Sequence, residues 1–302
     1  MTERPDTELT NPRAERVRRV SRLSGRSARS RHHQFVVEGP QGVREAVRHA
    51  PAQVRDVYLT PEAAGRHPEI LEAARAGGCY VHTATPEVLH AMSEDAQGVL
   101  AVLDEQGPTT TPALADLQGL RDGAGPRLVA VLARVNDPGN AGAVIRAADA
   151  AGADAVVLAA GSVELTNPKV VRSTAGSLFH LPVVTGHDLA SVLASLRGMS
   201  APVVLAADGA GEWDLDDLQD RAGLPGLPVA EDELSATALV APDLTGPTVW
   251  VFGNEAHGLT EEERALCDAA VRVPIHGLAE SLNLATAATV CLYASARAQR
   301  QA

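Results

Sequence analysis

Six short apolar runs, at residues 128–133, 155–158, 181–184, 202–206, 248–252 and 271–273, are separated for the most part by helical stretches across the second half of this chain. Strand, crossover helix and next strand repeated in this way build a largely parallel sheet, so residues 127–302 are expected to form an open α/β domain. No GxGxxG or P-loop follows any of the runs. That weakens a dinucleotide or nucleoside-triphosphate reading.

A second alternation precedes the first. Arg residues mixed with Val17, Val20 and Leu23 at helical spacing give way to an apolar strand at 35–37. A helix (42–48), strand (54–59), helix (68–76), short strand (80–82), helix (86–91) and closing strand (98–103) follow. Residues 13–104 therefore read as a small α/β sandwich with a basic N-terminal arm. Residues 1–12, polar and carrying Pro5 and Pro12, read as a disordered tail. The stretch 105–126, dense in Gly, Pro and Thr, reads as a linker. The acidic, Gly- and Pro-rich span 208–243 exceeds ordinary loop length and reads as a mobile surface insertion.

Composition limits the setting. No apolar run approaches the roughly 20 residues that span a bilayer, and the first residues lack an apolar signal core, so a cytoplasmic protein without a membrane partner is expected. Cys79, Cys267 and Cys291 form no CxxC pair and read as inert thiols, with no metal site expected. The net charge of −12 is uneven: residues 1–50 hold 11 Arg against 6 acidic residues. This basic end is consistent with polyanion binding and equally with a solvated arm.

Three polar loops leave the ends of apolar runs. They are NDPGNAGAVIR from Asn136 to Arg146, FGNEAHGLTEEE, and VPIHGLAESLN. Loops of this kind at the carboxyl ends of strands are where an open α/β sheet binds small molecules. In the first, Asn140 stands where a helix N-cap is expected, with Arg146 in the second turn. In the second, Thr260 and Glu263 have capping-box spacing, and Gly253 and Gly258 permit tight closure. In the third, Ser281 and Asn283 precede a long alanine-rich helix.

The order and content of these loops resemble the SpoU/TrmH family of RNA ribose 2′-O-methyltransferases, of the SPOUT superfamily. FVVEGPQGVREA and DAQGVLAVL resemble the L30e-like substrate-binding domain that precedes the catalytic domain in many members. The resemblance implies an S-adenosylmethionine cofactor, a deep trefoil knot in the C-terminal domain, a homodimer and a structured RNA substrate. Ribosomal RNA is preferred, with 23S RNA first and transfer RNA second. A non-catalytic RNA-binding or assembly factor of the same fold is the alternative from a different class.

Roles follow from the same resemblance. It places Asn140, Arg146, Glu255, Ser281 and Asn283 in the catalytic set. It places Ala206, Ala207, Gly253, Asn254, Val273, Ile275 and Leu282 at the cofactor, and Arg26, Arg31, Arg172 and Ser173 on RNA. A guanidinium, with a pKa above about 12, is a poor general base, so Arg146 is read as an electrostatic clamp on phosphate and developing alkoxide, with a base role left open. Structural readings stand beside these: Asn140 as a cap only, Arg146 in an ion pair with Asp149 or Asp154, Glu255 bonded to loop amides, and Arg172 in a salt bridge.

Overall fold

The computed structural model describes residues 8–106, 110, 112–222 and 241–301. The chain divides into two compact units, Met1–Pro112 with Glu164–Pro182, and Ala113–Val163 with Val183–Ala302.

The first unit contains α1 (Glu15–Arg22), α2 (Arg26–His32), β1 (Gln34–Glu38), α3 (Gly39–His49), β2 (Val54–Leu59), α4 (Pro61–Arg66), α5 (Pro68–Ala76), β3 (Tyr80–Thr83), α6 (Pro86–Met92) and β4 (Val99–Asp104). Its sheet has the order β1-β4-β2-β3, with β4 antiparallel to both neighbours and β2 parallel to β3. Side chains two apart share a face. Val36, Tyr58, Leu100 and Val102 therefore meet Val17 and Val20 of α1 and Val88, Leu89 and Met92 of α6 in one core. The opposite face, with Phe35, Val57 and Leu103 buried, is covered by α3 and α5.

Two expectations change here. The basic arm is two packed helices, because Val17, Val20 and Leu23 have a core to enter. Within the tail expected to be disordered, Leu9 bridges Ala84: its amide donates to the Thr83 carbonyl at 2.8 Å. Residues 1–7 lie outside the described residues.

Between the strands of the second unit, the stretch Glu164–Pro182 joins the first, its helix α8 (Pro168–Ser173) packing on β1. The buried Arg29 anchors it, donating to both Glu164 carboxylate oxygens at 2.8 and 3.1 Å and to the Leu23 and Ser24 carbonyls. A buried guanidinium needs that full set of acceptors. Burial works to raise the Glu164 carboxyl, but the bonds from Arg29 outweigh it and hold the group below the usual carboxylate range.

The second unit holds β5 (Leu128–Leu132), α7 (Pro138–Ala151), β6 (Ala155–Leu158), β7 (Val183–Thr185), α9 (Leu189–Ser200), β8 (Val203–Ala207), β9 (Trp213–Asp214), α10 (Leu215–Arg221), β10 (Thr248–Phe252), α11 (Glu261–Ala265), β11 (Ala269–Arg272) and α12 (Leu284–Gln301). Its seven strands run parallel in the order β7-β6-β5-β10-β8-β11-β9. Both faces are covered, which is why the strands read as unbroken apolar runs. On one face Val129, Val131, Val249 and Val251 pack with Val192, Leu193 and Leu196 of α9. On the other, α7 and α12 pack together, and the buried Trp250 indole N–H donates to Ser295 at 2.9 Å.

The span expected to be a linker also contributes to this core. Leu114 and Leu117, in a 3-10 stretch Leu114–Gly123, are buried in it. The start of the expected surface insertion is likewise part of the fold. Gly211 lies so close to the backbone of Ala270 that a Cβ would sit 2.7 Å from its carbonyl carbon. That contact delivers β9 to the edge of β11 and buries Leu215 and Leu218 of α10. Residues 223–240 lie outside the described residues. No helix among the described residues is long and apolar enough to cross a membrane.

Candidate active site

Because all strands of the second sheet are parallel, their carboxyl ends lie along one edge. Four adjacent strands, β5, β10, β8 and β11, send their following loops there. Three are the loops singled out in the sequence; the fourth, Asp208–Gly209 after β8, was not.

These loops fold differently in detail from expectation. The N-cap of α7 is Asp137, whose carboxylate accepts from the Asn140 amide at 2.7 Å, so Asn140 lies inside the first turn. Pro138 explains the shift, since its fixed φ and missing N–H suit the first helical position. The amide side chain of Asn140 is thereby free for another loop. Asn283 caps α12, its side-chain oxygen accepting from the Ala285 and Thr286 amides. The Thr260/Glu263 capping box forms as the spacing predicts.

Glu255 links the loops. Its carboxylate accepts from the Asn136 and Asp137 amides at 3.2 and 3.0 Å and from the Asn140 side chain at 3.4 Å. Asn140 in turn accepts from the Asn283 side chain at 2.9 Å. One carboxylate and two amides therefore tie together the loops after β5, β10 and β11. The bonding of Glu255 to loop amides and its orienting of a neighbouring loop are the same interaction.

A second tie is Arg134, which sequence reasoning missed. Its φ is 56°, a left-handed conformation unusual for a residue with a side chain. Its guanidinium grips both Glu263 carboxylate oxygens at 2.6 Å, and its carbonyl accepts from the Asn254 side chain at 3.0 Å. These bonds from Arg134 hold the Glu263 carboxyl below the usual range. Only the left-handed φ signals the residue, and that is invisible in sequence. Gly253 permits the return of the same loop, for a Cβ there would lie 2.3 Å from the carbonyl carbon of Gly258.

The loops enclose a cleft of about 240 Å³. Ala207, Gly253, Asn254, Val273, Ile275 and Leu282 line it, as do Glu255 and Ser281. Ala206 does not: it is buried in the sheet, one residue short of the strand end, with its side chain in the core. Arg146 is exposed on α7 and is not part of the lining. Asp154 is not its partner, being engaged by Arg121 and by the amides of Arg127 and Leu128. The lining also includes Asp208 and Glu280, which were not anticipated. With Glu255 these make three carboxylates, and among the described residues no Lys or Arg lines the cleft. An aliphatic wall with negative groups at its rim fits a ligand combining a flat apolar base with a sulfonium and an ammonium, and opposes a polyphosphate. Ile275 and Leu282 each remain 37% exposed, apolar surface that a ligand would cover.

The expected RNA contacts separate. Arg26 and Arg31 are exposed. Arg172 is instead in the salt-bridge alternative, paired with Glu38 and, at 2.9 Å, with Asp95. The Ser173 hydroxyl donates to the Lys169 carbonyl at 2.7 Å. Burial pushes the Cys267 and Cys291 thiols up to about 12 and also raises that of Cys79.

Comparison with known proteins agrees with this geometry. Residues 127–293 match the SpoU rRNA methylase family, and residues 36–108 match the RNA 2′-O ribose methyltransferase substrate-binding domain. The 23S rRNA (guanosine-2′-O-)-methyltransferase RlmB of Bordetella pertussis is 32% identical over 88% of this chain and 98% of its own. The 23S rRNA (guanosine(2553)-2′-O)-methyltransferase RlmP of Bacillus subtilis is 31% identical over 95% and 98%. Among solved structures, the SpoU methyltransferase AviRb from Streptomyces viridochromogenes, in complex with the cofactor AdoMet, superposes with a TM-score of 0.75 at 29% identity. That match covers 96% of this chain and 99% of AviRb. A parallel sheet with three tied loops around an anionic, aliphatic cleft, carried on a chain that matches along nearly its whole length, places this protein in the SpoU family of S-adenosylmethionine-dependent RNA ribose 2′-O-methyltransferases.

Proposed function

We propose that the chain methylates a ribose 2′-hydroxyl in 23S ribosomal RNA. The observation that carries the reading is the bonded series Glu255, Asn140 and Asn283, which joins three loops into one rim beside the cleft. Bound S-adenosylmethionine supplies a methyl group on a sulfonium. Val273, Ile275 and Leu282 would give its adenine an apolar wall, and the backbone at Ala207, Gly253 and Asn254 would supply polar contacts. Ser281 and Glu255 stand at the cleft where the ribose would enter. Arg146, exposed two turns into α7, would neutralise an RNA phosphate and stabilise the negative charge that develops on the attacking 2′-oxygen while solvent water takes its proton. The exposed Arg26 and Arg31 support phosphate contact by the first unit. Arg172 and Ser173 are engaged internally and add nothing to that argument.

The 23S substrate is supported by the names of the relatives that match nearly the whole chain. The remaining parts of the reading are a cytoplasmic homodimer and a knotted C-terminal segment. Val290 and Tyr293, 38% and 46% exposed on α12, support a partner on that helix. Mapping ribose methylation across cellular RNA with and without the gene tests the substrate, and one site lost from 23S RNA is expected. A site lost from transfer RNA would change the substrate and keep the chemistry. No lost site, with cofactor binding intact, would make the chain an assembly factor.

A further inference from the structure

In the first unit, Glu45 and His49 are four residues apart on α3 and so share a face. Against that face lies the turn Ser177–Phe179, and His180 follows it. The Glu45 carboxylate oxygen Oε2 is 3.4 Å from His49 Nε2 and 3.3 Å from His180 Nε2. The two imidazole rings meet edge to face, with centroids 4.8 Å apart. All three potential ligand atoms lie within 4.8 Å of one another.

We propose that Glu45, His49 and His180 form a binding site for one divalent transition-metal ion of the zinc class. The two nitrogen–carboxylate contacts, 3.3 and 3.4 Å, match the edge of a tetrahedron whose metal–ligand bonds are about 2.0–2.1 Å, namely about 3.3–3.4 Å. Two of the three edges are thus already set, and only the separation of the two imidazoles must shorten. Imidazole nitrogen with one carboxylate suits zinc, copper or nickel rather than magnesium or calcium.

The site is also built into the backbone. Gly176 has φ of 100°, and a Cβ there would lie 2.5 Å from Glu45 Cγ. The carboxylate stem therefore occupies space that only glycine leaves open. Leu178 and Phe179 are buried and fix the approach of His180. An ion held here would clamp α3 to the turn at 176–180, with the fourth coordination position left to water. No cysteine is needed, which is why counting cysteines in the sequence gave no sign of it.

The test uses the full-length chain without an affinity tag, stripped with chelator and titrated with zinc sulfate by calorimetry and with cobalt(II) by visible absorption. One equivalent should bind, with the intense absorption of tetrahedral cobalt. His180→Asn and His49→Asn should each weaken binding by at least about 10–100-fold, since even loss of a group supporting a ligand costs that much. Zinc should raise the unfolding midpoint of the wild type and leave that of His180→Asn unchanged. Cooperative thermal unfolding of both metal-free variants, with midpoints near that of the metal-free wild type, reports that they are folded. Absence of saturable binding would overturn the site, as would equal affinity in wild type and both folded variants; the cluster would then be two histidines sharing an acceptor.

Discussion

Substitution of Arg134 separates two effects that the wild-type residue combines. Its φ of 56° is left-handed, which costs a residue with a Cβ about 1–2 kcal/mol. Against this, the guanidinium bonds both oxygens of Glu263. Discounted for an Arg134 side chain 38% exposed, that pair contributes about 1–2 kcal/mol. Arg134→Ala keeps the strain and loses the pair, so the second unit should lose about 1–2 kcal/mol. At its size that lowers the unfolding midpoint by about 2–8 °C. Arg134→Gly also loses the pair but removes the strain, offset in part by about 0.5–1 kcal/mol of extra chain entropy. Its midpoint should therefore fall about 1–4 °C below wild type and stay above that of Arg134→Ala. Both variants loosen the loop that carries Asn254 and Glu255 at the cleft, so both should weaken S-adenosylmethionine binding about 5–10-fold, or about 1–1.4 kcal/mol. Scanning calorimetry and isothermal titration give the two numbers. Equal midpoints for Ala and Gly would refute the strain argument, and unchanged cofactor affinity in both would show that Arg134 does not shape the cleft.

Glu263 has a depressed pKa, so its contribution is present above the unfolded value of about 4.3 and is lost as pH falls through the lower folded value. The stability advantage of wild type over Glu263→Gln, measured by thermal unfolding from pH 7 downward, should therefore hold to about pH 4.5 and vanish below it; an advantage independent of pH would count against the ion pair. Arg146→Ala should slow methyl transfer by about 100-fold to 1,000-fold with little change in cofactor affinity. Rescue by Arg146→Lys would assign a point-charge role, and near wild-type turnover of the alanine variant would remove Arg146 from the mechanism. Because α1 and α2 are packed, deleting the basic end would disturb the core, and Arg26→Ala with Arg31→Ala is the cleaner probe. The double variant should weaken RNA binding and flatten its salt dependence by up to about 1–2 units of slope. An unchanged slope would make these two arginines solvated surface.

Much of the fold is local in origin and was legible from residues alone. Runs such as 128–133 and 248–252 are apolar throughout because both faces of a parallel strand are covered, so the pattern reports strand and burial together. The capping box at Thr260 and Glu263 is equally local, and so are the three loops as polar breaks after those runs. What the sequence could not supply depends on contacts between residues far apart. Pro138 set the N-cap at Asp137, but the partners that the freed Asn140 side chain then meets, Glu255 and Asn283, lie more than a hundred residues away. Leu114 and Leu117 looked like linker because their partners lie on strands that follow. Arg172 looked available until the fold set Glu38 and Asp95 beside it. Arg134 and Asp208 lie outside the three loops, and Glu280, inside the third, had no role assigned; a left-handed φ and a shared sheet edge bring them to the site. Sequence periodicity encodes which way each side chain faces relative to its own backbone, and that determines the elements and their layers. Which charges meet across those layers depends on the order in which strands pair, and the tertiary structure alone decides that.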